Sequence, residues 1–232
     1  MDIMKPSKTR LQIAWEAARL IHESPDLRHS DARRMAVKRL CPVGARPRDI
    51  PSDAEVGEQL KALSQTKTTT AWQDRFDRYA ELLRPLEFVT QDPVRHPEGD
   101  VLYHSLQVYT LVGEHFPYDE ELLTAALLHE VGKAINRREP IAASLEALTA
   151  IITPRTAWFI ENLPVARAYV DGTLGVRAIN RLKAEPDFDE LTVLIDCDLV
   201  GRRCGVVVPD SEEAISQLEE LSQEHGEHEL PG

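Results

Sequence analysis

Two histidines, a glutamate and an aspartate stand where aliphatic side chains are expected. His104 shares a 3.6-period face with Val101, Ser105, Val108 and Val112. His129 and Glu130 extend a second stripe, Leu122, Ala125 and Ala126, at i+7 and i+8. Asp198 interrupts a third, Leu191, Leu194, Ile195 and Leu199. Asp196, two residues earlier, is rotated by about 200° and faces elsewhere. An ionised carboxylate buried without a partner is very costly. A metal ion held by two imidazoles and carboxylates satisfies all of these groups together. Taken singly, each histidine has a plainer reading as a hydrogen-bonded core residue.

Three helices must position these groups. Asp100 is placed to cap the His104 helix, which Phe116-Pro117 ends. Asp119 caps the next helix, expected to run through His129 and Glu130 and to stop at Gly132. Pro186 and Asp187 open the Asp198 helix. His96 lies on a turn made by Pro97 and Gly99 just before the first helix. There it is either a contact to a metal or phosphate or a surface histidine.

The string Leu127-Leu-His-Glu-Val-Gly-Lys133 resembles the Leu-Leu-His-Asp-hydrophobic-Gly-Lys signature of the HD-domain metal-dependent phosphohydrolases. The resemblance matches His104 to the family's first histidine, His129 to its second and Asp198 to its final aspartate. The run Gln91-Asp-Pro-Val-Arg-His-Pro-Glu-Gly-Asp-Val-Leu-Tyr-His104 is similar to the lead-in of the HD domain of bacterial CCA-adding tRNA nucleotidyltransferases. It covers roughly positions 85–205, without their nucleotidyltransferase head. One position departs: Glu130 stands where the family has Asp. The charge is kept, but one extra methylene moves the carboxylate. The resemblance implies a divalent ion (Mn, Fe, Co, Ni or Mg) on His104, His129, Glu130 and Asp198, with Glu130 as fourth ligand or as base. Lys133 is then a phosphate-contacting cation beside the metal; otherwise it is a favourable cation at a helix C-terminus. Arg137 and Arg138 extend a positive rim. Asp198-Leu-Val-Gly-Arg202 resembles an ending seen in many HD proteins, where Arg202 orients Asp198 or contacts substrate; its plain reading is a solvated arginine.

The rest of the 232-residue chain is ordinary for a globular protein, with 42% apolar and 28% charged residues. Its 27 Lys and Arg against 39 Asp and Glu give −12, which argues against non-specific nucleic-acid binding. Cys41, Cys197 and Cys204 have no metal or disulfide spacing. No apolar run is long enough for a membrane span, and a cytoplasmic location is expected.

Helices are expected at 8–23 with Ser7 as cap, from Ser30 to Leu40, from the Ser52–Glu55 capping box to about Leu63, and from Trp72 to Leu83. The polar run Ser64–Thr70 is the expected linker. It separates an N-terminal helical module, 1–66, from a helical domain, 67–232. The basic face Arg33, Arg34, Lys38 and Arg39 is solvated or docks an acidic partner. Residues 139–170 divide at Pro154 and Pro164 into short helices. A helix over 174–184 leads to Pro186, Val206–Val208 is the one β-like run, and a last helix spans about 211–224. The His225-x-x-His228 pair reads as a frayed end.

The expected fold is all-α, an HD-domain-like helical bundle. The expected function is a metal-dependent phosphohydrolase acting on a phosphomonoester or phosphodiester, such as a nucleotide or an RNA end. Glu130 and Lys133 are the catalytic candidates, with His96, Lys133 and Arg202 toward substrate. The rival is a non-catalytic HD-like module that binds a nucleotide or a partner protein.

Overall fold

A computed structural model describes residues 7–42 and 44–225. The fold is all-α: twelve α-helices and two 3-10 turns, with no β-strand among the described residues. An isolated bridge joins Thr90 and Asp100. Val206–Val208 finds no neighbouring strand and stays irregular. His228 lies outside the described residues. The chain divides into two compact units, 1–70 and 71–232.

The first unit contains α1 (Lys8–Glu23), α2 (His29–Leu40) and the start of α3 (Asp53–Gln73). Ser7 caps α1 by accepting from the Arg10 amide. Ser30 does not cap α2, which begins two residues earlier, after Arg28. Alanines let α1 and α2 approach closely: Ala17, Ala18, Ala32 and Ala36 are fully buried with Ile13 and Val56. Met35 and Leu40 of α2 are exposed. The capping box forms as read, with Glu55 N donating to Ser52 Oγ at 3.3 Å and Ser52 N donating to Glu55 Oε2 at 2.7 Å.

That helix does not end at Leu63. Residues 64–70 remain helical within α3, a correction to the expected helix end, and the two units divide where this run ends. Nothing in the run is Gly or Pro, and once nucleated a helix extends at little cost through residues that merely lack preference for it. The break comes at Asp74, before α4 (Arg75–Leu83). Arg75 is buried there, its guanidinium 4.2 Å from the rings of both Trp72 and Phe76.

The second unit continues through α5 (Val101–His115), α6 (Glu120–Leu128), α7 (Gly132–Ile135), α8 (Pro140–Leu148), α9 (Pro154–Val170), α10 (Val176–Leu182), α11 (Phe188–Val200) and α12 (Ser211–His225). Helix α5 packs on α6 and α11, and α9 packs on both of the latter. Val101, Val108, Val112, Leu122, Leu128, Phe159, Ile160 and Leu194 form the centre of the core at 0% exposure. Pro164 sits inside α9 without dividing it, contrary to expectation. Phe159, Ile160, Leu163 and Ala166 are all buried around it. Packing on both sides outweighs the lost hydrogen bond of an internal proline, about 3 kcal/mol.

Candidate metal centre

Helix α5 holds the first histidine. Asp100 Oδ1 accepts from the Tyr103 amide at 2.8 Å, which starts the helix where the sequence places it. One turn on, His104 is fully buried between Val101 and Val108. The second histidine sits differently from the expectation. Helix α6 ends at Leu128, His129 is its C-cap, and Glu130 lies in the following turn. Gly132 does not stop a helix but begins α7. Its role is packing: a Cβ there would lie 1.9 Å from the Pro140 carbonyl oxygen and 2.7 Å from Ser144 Oγ. The Gly132 amide donates to that hydroxyl at 2.8 Å. Helix α11 supplies Asp198, 9% exposed, while Asp196 is exposed, as the helical rotation requires.

Ligand atoms of His104, His129, Glu130 and Asp198 all lie within 4.8 Å of one another, and the group can hold a metal ion. The tautomers decide what these atoms offer. His104 Nδ1 lies 2.8 Å from the Gly201 carbonyl, and His129 Nδ1 lies 2.8 Å from the Ala126 carbonyl. A carbonyl oxygen only accepts, so each Nδ1 carries the proton and donates. In a neutral ring each Nε2 then keeps its lone pair. Both lone pairs face one carboxylate oxygen, Asp198 Oδ1, at 3.0 Å from His104 and 3.6 Å from His129. His129 Nε2 is also 3.6 Å from Glu130 Oε1, and it is buried with no hydrogen-bond partner among the described residues.

Three acceptors converging on one another repel unless a cation lies among them. Nitrogen and oxygen donors of this kind suit a divalent transition metal, so the residues present fit the group. Protons are the alternative cation. Burial pulls the His129 imidazole down, but the Asp198 and Glu130 carboxylates overcome it and leave the imidazole raised. Burial pushes Asp198 up, and the imidazoles of His104 and His129 overcome that, holding it far below the ordinary carboxylate range.

Several neighbours orient the four groups. Arg202 Nη2 lies 3.1 Å from Asp198 Oδ2, and its Nε donates to the Asp198 carbonyl at 3.2 Å. Arg202 therefore holds the aspartate. Lys133 Nζ lies 2.5 Å from Glu130 Oε2 and donates to Gln91 Oε1 at 2.7 Å. His96 is not among the converging ligands. Its Nδ1 lies 3.0 Å from Glu98 Oε1, and its ring stands perpendicular to His104 at 6.0 Å.

Glu98 is the residue that motif reading passed over. It is buried, with Oε1 3.3 Å from His104 Nδ1 and Oε2 without a hydrogen-bond partner among the described residues. A glutamate in a Pro-Glu-Gly turn looks solvated in sequence; only the loop's path folds it inward.

The cleft beside these residues has a volume of about 160 Å³ and is walled by Pro140, Ile141, Leu163 and Ile195. A larger cavity, about 600 Å³, runs along Tyr109, Leu123, Val208 and Leu221 and touches none of the four. Size does not select the site here; the convergent donors do. Comparison with protein-family models finds no match to the chain, and comparison with curated proteins finds none.

Proposed function

We propose that the chain is an HD-type metal-dependent phosphohydrolase acting on a small phosphorylated substrate or nucleotide. The observation that carries this reading is the convergence of two imidazole lone pairs on Asp198, with an orphaned His129 Nε2 at the edge of an open cleft. The string Leu127–Lys133 and the order His104, His129, Asp198 support the same family. His104, His129, Glu130 and Asp198 would hold the ion. When bound, a divalent ion acidifies water and neutralises charge developing on a phosphoryl group. The protein's own groups supply the rest. The Gly201 and Ala126 carbonyls hold the two rings in the ligating tautomer. Glu130 either completes the ion's ligands or, off the ion, accepts a proton from the attacking water. Lys133, displaced from Glu130 by the incoming anion, neutralises a non-bridging oxygen. Arg202 keeps Asp198 in place, and the apolar walls of the cleft limit competing water.

The test is elemental analysis of protein purified without chelators, alongside a phosphoester screen. Wild type should carry stoichiometric Mn, Fe, Co or Ni, and His129→Ala should lose both metal and turnover. Retention of either by the variant would overturn the reading. A non-catalytic nucleotide-binding module is the second reading, favoured by the Lys133–Glu130 ion pair, which occupies the proposed base. On that reading, nucleotide raises the melting temperature while no divalent ion restores turnover.

A further inference from the structure

A second cavity, about 330 Å³, adjoins the metal cleft and is lined by Gln91, Asp92, Arg95, His96, Lys133 and Arg137. Lys133 and Pro140 line both cavities. The link is a physical one: Lys133 Nζ spans from Glu130 Oε2 on the metal side to Gln91 Oε1 on the other, at 2.5 and 2.7 Å. In a chain of net charge −12, this wall carries three permanent cations against one carboxylate.

Two of those cations are uncommitted. Arg10, Arg19, Arg155 and Arg202 each grip a carboxylate, whereas the exposed side chains of Arg95 and Arg137 make no hydrogen bond or ion pair among the described residues. Asp92, the one acid on the wall, accepts instead from the Val94 amide at 3.0 Å, and its carbonyl accepts from the Arg95 and His96 amides. The turn thus projects Arg95 while occupying the nearby acid. His96 also lines this wall, but its Nδ1 lies 3.0 Å from Glu98 Oε1, which leaves its Nε2 an acceptor in the neutral ring and no donor to an anion. Guanidinium forks match phosphate geometry and bind it through paired charge-assisted hydrogen bonds.

We infer that Arg95 and Arg137 bind a second phosphate group of the substrate, so that the substrate class is a small bisphosphate and not a simple monoester. This rests on the phosphohydrolase reading for the metal cleft and adds to it a recognition subsite.

The experiment is calorimetric titration of the full-length, Mn²⁺-loaded chain with adenosine 3′,5′-bisphosphate, adenosine 5′-monophosphate and a short single-stranded RNA. Wild type should bind the bisphosphate at least about tenfold more tightly than the monophosphate. Arg95→Ala/Arg137→Ala should erase that preference with metal content and monophosphate affinity unchanged, and Arg95→Lys/Arg137→Lys should restore part of it. An equal affinity for bisphosphate and monophosphate in wild type overturns the inference while metal uptake leaves the phosphohydrolase reading standing. So does a preference that survives in the double alanine variant, or tighter binding of the RNA than of the bisphosphate. Failure to take up metal or to bind any nucleotide overturns both.

Discussion

Gly132 and Ser144 show how little room surrounds the candidate site. The Gly132 amide and the His129 carbonyl both contact the Ser144 hydroxyl, at 2.8 and 3.4 Å, so α8 braces the turn that carries His129 and Glu130. Gly132→Ala would drive a methyl group into the Pro140 and Ser144 backbone. Overpacking of this kind costs about 1–3 kcal/mol or more. The variant should show a lowered urea midpoint and reduced Mn²⁺ uptake; a midpoint equal to wild type would contradict the packing role. At the same scale, Lys133 and Glu130 hold each other, so a substrate anion and a metal ion draw apart a pair that already exists.

Among the helices, Arg155 is the principal polar tie. From the first turn of α9 it reaches Asp119 at 2.7 Å and Glu121 at 3.2 Å, at the start of α6, and Asp187 at 2.7 Å, at the start of α11. Asp187, expected to cap α11, spends its carboxylate on this arginine and makes no side-chain capping bond. Burial lowers the Arg155 guanidinium, but the Asp119 and Asp187 carboxylates overcome it and hold the group raised and charged. Arg155→Leu leaves three acids facing one another without their cation. The expected loss is on the order of 2 kcal/mol, with the salt bridges partly buried. A thermal melt within error of wild type would show that the network contributes nothing net. Because α6 and α11 carry His129 and Asp198, the same variant should weaken metal retention.

For the molecule as a whole, two solution conditions probe the two units. Chelation removes whatever ion the 71–232 unit binds. A ligand at about one hundred times its dissociation constant stabilises the folded state by about 2.7 kcal/mol. Stripping with EDTA should therefore lower the melting temperature of wild type and leave that of Asp198→Ala where it was. Acid acts on the 1–70 unit. Hydrogen bonds from Arg19, against burial and with help from Arg39, hold Glu16 at about 2; Arg10 and Ser52 hold Glu55 at about 2. Both folded values lie below the ordinary 4.5. Their stabilisation is complete above that value and is lost as pH falls from about 4.5 toward 2. Glu16→Gln should destabilise the protein at neutral pH, and its deficit against wild type should shrink across that window. A deficit independent of pH would rule the ion pairs out as its cause. No helix of the described residues is long and apolar enough to cross a membrane.

Much of this was legible in the residues themselves. Helical periodicity placed His104 and Asp198 in the core and Asp196 outside it, because a 3.6-residue repeat dictates which positions share a face. Local capping chemistry placed the starts of α1, α3, α5 and α6, since each depends on a side chain and an amide two or three residues apart. The all-α class followed from the same short-range signals. Longer-range facts were not available from such patterns. The helical path through 64–70, the uninterrupted α9 and the early end of α6 at His129 are set by competition between weak local preference and packing. The inward turn of Glu98 and the bridging position of Lys133 join residues that are far apart in the chain or lie on irregular backbone. The tautomers that turn two core histidines into paired donors are decided by the Gly201 and Ala126 carbonyls. Sequence determined which groups enter the core; only tertiary structure decided that their lone pairs meet, because no local rule sets the distance between one helix and another.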